Sequence, residues 1–154
     1  MPPLPVEPSA ALLPSDGPLE AAALRAGLPP AAATALARGA ALYQSGRFFE
    51  AHEVWEGEWL TQTGETKSLL QGLILCAAAL HKGLVDGRST GCARLLVSAL
   101  QRLTPLDAGH GGVDVATVRD GVVRALAVAH AWSGETGRPI ERGDAPRIAA
   151  VAEA

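Results

Sequence analysis

Apolar residues recur along most of this chain at spacings of three and four, the repeat of an amphipathic helix. The repeat predicts a helix over 31–44, with Leu36, Ala40 and Tyr43 on one stripe, and another over 47–60, carrying Phe48, Ala51, Trp55 and Trp59. Gly46 stops the first, and the second follows almost at once. A segment over 61–66 centred on Gly64 is short enough to fold the chain back on itself. The next helix, from 65 or 66 to about 85, is apolar nearly all round (Leu69, Leu70, Leu73, Ile74, Leu75, Ala77, Leu80) and is therefore expected at the centre.

Gly83 and Gly87 end that helix. Ser89 or Thr90 is then suited to cap another, whose stripe is Cys92, Leu95, Leu96, Ala99, Leu100 and Leu103 before Pro105 closes it. After the glycine-rich loop at 109–112, Asp114 is expected to cap a last helix with Val115, Val118, Val122, Leu126 and Ala129 inward. Gly46, Ala51 and Val54 are echoed by Gly87, Cys92 and Leu95, an offset of 87 − 46 = 41 that supports helical hairpins but is too imperfect for a repeat array. The expected fold is all-α: an antiparallel bundle of four to five main helices built from helical hairpins.

The flanks read differently. Pro2, Pro3, Pro5, Pro8, Pro14 and Pro18 deny residues 1–18 a helical period, so a flexible tail is expected there. A short helix over 19–26 precedes Gly27 and the Pro29-Pro30 pair, where Pro30 can open the next helix. One helical domain then spans 19–133, and 134–154 is expected as a C-terminal tail, partly docked through Ile140 and Ile148.

A chain of 154 residues suffices for one core without staples. Hydrophobic residues make up 48% but aromatics only 4%, so alanine and leucine must build that core. With a net charge of −3 and arginines scattered over several helices, nucleic acid is not the expected partner. Cys76 and Cys92 lie in apolar helical patterns, outside any metal or redox spacing, and read as reduced core residues. The N-terminus lacks the basic start and apolar run of a signal peptide, and the longest apolar run, 73–80, is too short for a bilayer. A cytoplasmic protein without a membrane segment is expected, with a protein partner or self-association open.

Chemistry concentrates in one stretch. Residues 48–59 hold both phenylalanines, two of the three tryptophans and four carboxylates. At 100° per residue His52 falls within the Phe48, Trp55 and Trp59 stripe, with Glu56 one turn later, so His52 is expected to be buried and in reach of Glu56. Such a pair can be a general base, a metal site or a satisfied polar pair, and all three demand the same residues. The metal reading compares with H-E-x-x-H, but Glu56 stands where the second histidine would be. Pairing about a turn near residue 63 sets His52 opposite Ile74 and leaves His81 about 10 Å further along, so a third ligand is lacking. Gln71 falls near Trp55 and Glu56 instead, where its amide could complete a polar cluster. His110 and His130 have no supporting context, and Trp132 reads as core or rim packing.

The run Gly46-x-Phe48-Phe49-Glu50-Ala51-His52-Glu53-x-Trp55-Glu56-x-x-Trp59, followed by Leu70-Gln71-Gly72-Leu73-Ile74 and Ala77-Ala78-Ala79-Leu80-His81, resembles the prokaryotic family called domain of unknown function 309. The resemblance covers about 35–103. It implies an antiparallel helical bundle with His52, Glu53, Glu56, Trp59, Gln71 and Gly72 as signature positions, and it supplies no activity. Gly57, inside a helix, departs from good helix-forming practice and suggests close packing or a soft final turn.

Two functional readings follow. In one, the chain is a binding or scaffold module: a His52, Glu56 and Gln71 network fixes helix register while an outer surface meets a partner. In the other, it is a metal- or small-ligand-binding, hydrolase-like enzyme using His52 and Glu56, with Glu53 beside them. Phe48, Trp55 and Trp59 would wall its pocket, and a divalent metal, if any, would be held by His52 and Glu56. Apolar walls would suit a carboxylate to acid and base work.

Overall fold

Asp16 opens the first helix, accepting a hydrogen bond from the Leu19 amide at 3.0 Å. In the computed structural model, which describes residues 14–152, α1 spans Gly17–Arg25. It starts two residues before the expected 19, because Asp16-Gly17-Pro18 supplies both a capping carboxylate and a first-turn proline. Part of the segment expected as tail therefore belongs to the helix; residues 1–13 lie outside the described residues.

The remaining helices are α2 (Pro30–Gln44), α3 (Phe48–Trp59), α4 (Gly64–Leu84), α5 (Ser89–Leu103) and α6 (Val115–Ser133). Each packs on the one before it, and the apolar α4 lies between α3 and α5 as the central helix. The architecture is an all-helical bundle, and among the described residues the only β-type pairing is an isolated bridge between Val113 and Ala150. None of these helices is long and apolar enough to cross a membrane.

The tight junctions follow from the glycines. Gly46 adopts φ +83°, which lets the Arg47 amide return to the Leu42 carbonyl at 2.9 Å and turns the chain from α2 into α3. Asp114 caps α6 as expected, accepting from the Thr117 amide at 3.1 Å. Ser89 does not cap α5: it is the helix's first residue, Arg88 holds the cap position without a side-chain bond, and Thr90 meets the Ser133 hydroxyl at 3.2 Å.

The core is alanine and leucine around one indole. Trp55 is fully buried, donates from Nε1 to the Leu36 carbonyl at 3.2 Å, and lies against Gly39 so closely that a Cβ there would be 2.0 Å from Nε1. Tyr43 packs between Phe48 and Trp55, with ring centroids 5.0 and 6.0 Å away. Cys76 and Cys92 are free and buried, and burial pushes their thiols up to about 12 and about 11.

The segment after α6 runs back over the bundle. Ile140 and Ile148 are buried, and the buried Tyr43 hydroxyl donates to the Pro146 carbonyl at 2.8 Å. Arg142 donates to the Gln44 carbonyl at 3.2 Å, closing the end of α2. Arg119 turns inward from α6: its Nη1 donates to the carbonyls of Leu103, Thr104 and Leu106, at 3.3, 3.2 and 2.8 Å, and caps α5.

Candidate functional site

On α3 the buried residues are Phe48, Ala51 and Trp55, so the buried arc runs from Phe48 through Trp55 to Ala51, and His52 stands just outside its Phe48 edge. The His52 side chain is 27% exposed, and its Nε2 lies 3.0 Å from Glu56 Oε2. The expected His52–Glu56 reach is present, but the expected setting among indoles is not. The aromatic neighbour of His52 is Phe49, at 5.7 Å between ring centroids, and Phe49 also meets His81 at 5.3 Å.

Phe49 thus bridges His52 and His81, which the sequence sets about 10 Å apart along α4. That estimate counted Cα positions. Side chains on a helix lean toward its N-terminus, so in an antiparallel pair Phe49 leans toward the end of α4 and His81 leans back toward α3. Together Phe49, His52, Ala78, His81, Lys82, Asp86 and Leu95 line a cleft of about 170 Å³ where α3, α4 and α5 meet.

The other expected residues are dispersed. Trp55 is sealed in the core and cannot wall an open pocket. Phe48 borders a different cleft, of about 670 Å³, with Tyr43, Gln44, Arg142, Pro146 and Ile148 beneath the C-terminal segment. Trp59 is half-buried near the far end of α3, with Lys67 Nζ 4.4 Å above its ring. Glu53 faces outward into a groove shared with Arg38, Leu42, Arg47 and Glu50. Gln71 is half-buried on α4, and among the described residues no hydrogen bond joins it to His52 or Glu56. The network expected to fix helix register therefore reduces to the His52–Glu56 pair.

Gly72, beside Gln71, has a packing reason: a Cβ there would lie 2.5 Å from Leu103 Cδ2 on α5. Gly57 does not, since nothing approaches its Cβ position within 4 Å, which corrects the expectation of close packing.

Two polar atoms of α3 are buried without a hydrogen-bond partner, His52 Nδ1 and Trp59 Nε1. With Nε2 facing a carboxylate oxygen, the neutral imidazole carries its proton on Nε2, and Nδ1 is a bare acceptor. The pair could serve as a general base or contribute two ligands to a metal. Among the described residues no three of His, Cys, Asp and Glu are grouped to hold one. His110 was passed over in the sequence, yet its Nδ1 lies 3.3 Å from Glu65 Oε2 and its Nε2 is buried and unpartnered. Nothing local signals this contact, which joins the loop before α6 to the first turn of α4.

Residues 36–95 match the family described as Domain of unknown function (DUF309), the family that the motifs resemble. The match contains α3 and α4 whole and ends at Leu95, and so takes in every residue that lines the cleft. No curated protein matches the sequence.

Proposed function

We propose that this DUF309 domain is a binding module whose recognition site is the cleft where Phe49, His52 and His81 meet. The observation that carries the reading is His52 Nδ1, buried and unpartnered beside a phenylalanine that is half exposed. An unmet buried polar group costs about 1–3 kcal/mol, so an acceptor left open beside an exposed ring favours a ligand-binding role for His52. The cleft, about 170 Å³, falls below the roughly 300–1,000 Å³ of ordinary small-molecule sites. That size suits one anchor side chain of a partner protein better than a cofactor. We assign the module to the prokaryotic cytoplasm, a reading supported by its two free, buried thiols and by the family resemblance.

A second reading keeps His52 and Glu56 as an acid–base pair, supported by their 3.0 Å separation. One experiment separates the two: full-length protein is titrated with short peptides that each present one anchor side chain, and backbone and methyl NMR shifts are mapped. Shifts gathering on Phe49, Ala78 and Leu95 and lost in Phe49→Ala support recognition. Shifts confined to the Tyr43–Pro146 cleft, or ester turnover that falls in both His52→Gln and Glu56→Gln, would overturn it.

A further inference from the structure

We propose that the cleft takes a cation on an apolar stem, the side chain of a lysine or arginine on a partner protein or a free alkylamine of the same chemistry. This rests on the recognition-site reading above. Three features converge on that ligand.

The floor is apolar, made by Ala78 and Leu95, and Phe49, 50% exposed, presents ring surface whose quadrupole attracts a cation. Carboxylates stand nearby. Asp86 lines the cleft beside Lys82, and the Glu56 carboxylate stands one turn beyond His52. Lys82 is the one lysine or arginine in the lining, and its ammonium is already 3.7 Å from Asp86. Arg88 and Arg94 border an adjoining depression that shares Lys82 and Asp86 with the cleft, on the side away from Glu56 and His52. Finally, His52 gives its N–H to Glu56 and keeps Nδ1 as an acceptor, so its spare hydrogen-bonding capacity suits a donor. An anion would meet the Glu56 carboxylate and a π face of its own sign. An alkylammonium or alkylguanidinium meets acceptors outside and hydrocarbon within.

The test titrates the full-length protein with n-butylammonium, 1-butanol and butyrate, which share a stem and differ in head group, and follows the NMR shifts of Phe49, Ala78 and Leu95. A blocked lysine dipeptide is run alongside. Butylammonium is expected to bind about tenfold more tightly than butanol, with butyrate giving no shift at these residues. Glu56→Gln should weaken the amine several-fold without affecting butanol, and Phe49→Ala should abolish both, each variant being checked for wild-type circular dichroism. Tighter binding of the dipeptide than of butylammonium identifies a partner's side chain as the source, and equal binding identifies the free amine. Butanol or butyrate binding as well as the amine at the same residues overturns the cation while leaving the recognition site standing. If no probe moves these residues, the recognition site itself fails.

Discussion

In the variant His52→Leu, an apolar side chain of similar length replaces the imidazole beside Phe49. The exchange removes one contact, Nε2 to Glu56 at 3.0 Å, whose acidic partner is 50% exposed. Screened pairs of that kind contribute about 0.2–1 kcal/mol. It also removes the buried, unpartnered Nδ1, whose penalty belongs at the lower end of the 1–3 kcal/mol range, about 1 kcal/mol, because the ring as a whole is 27% exposed. The sum lies between no change and about 1 kcal/mol of added stability, which for a domain of this size raises Tm by up to about 4 °C. Urea unfolding of the full-length protein, read by tryptophan fluorescence, measures it, with an unchanged m-value as the check that the unfolded state is the same. A loss exceeding about 1.5 kcal/mol would mean that the imidazole holds the fold together, and the reasoning that assigns it to recognition would be refuted.

Two glycines in helices should respond in opposite directions. Gly57→Ala, with open space around the new methyl, should gain about 1 kcal/mol in a melting experiment. Gly39→Ala drives its methyl into the buried Trp55 indole and should lose about 3 kcal/mol or prevent folding, read by urea unfolding or soluble yield. Tyr43→Phe removes the hydroxyl bond to Pro146 and should cost about 1–3 kcal/mol, with limited proteolysis cutting earlier between Gly137 and Ala150. Because burial raises both thiols, to about 12 and about 11, Cys76 and Cys92 should react with iodoacetamide at pH 8 no faster than the protein unfolds; rapid labelling of native protein would contradict that.

The bundle was legible in the sequence because each hairpin has a local cause: an apolar stripe, then a glycine such as Gly46 that can take positive φ, then a new stripe. Asp114 was legible for the same reason, since its cap spans three residues. What escaped depends on contacts between elements. A wheel drawn for α3 alone places His52 on the tryptophan stripe, but only packing against α2 and α4 decides that the buried arc runs from Phe48 through Trp55 to Ala51 and leaves His52 at its rim. The meeting of Phe49 with His81 needed the lean of side chains along antiparallel helices, which a count of Cα positions omits. Arg119 reaching the end of α5, and Tyr43 reaching Pro146 across 103 residues, carry no local signal at all.

The most direct test is the ¹⁵N spectrum of the His52 imidazole in the full-length protein, recorded free and then saturated with a lysine-bearing peptide. In the free protein Nδ1 should resonate as an unprotonated acceptor and Nε2 as a protonated donor, and on saturation Nδ1 should shift while the imidazole of His110 stays still. A protonated Nδ1 in the free protein, or a His52 signal indifferent to saturating peptide, would contradict the claim that this cleft is where the domain binds.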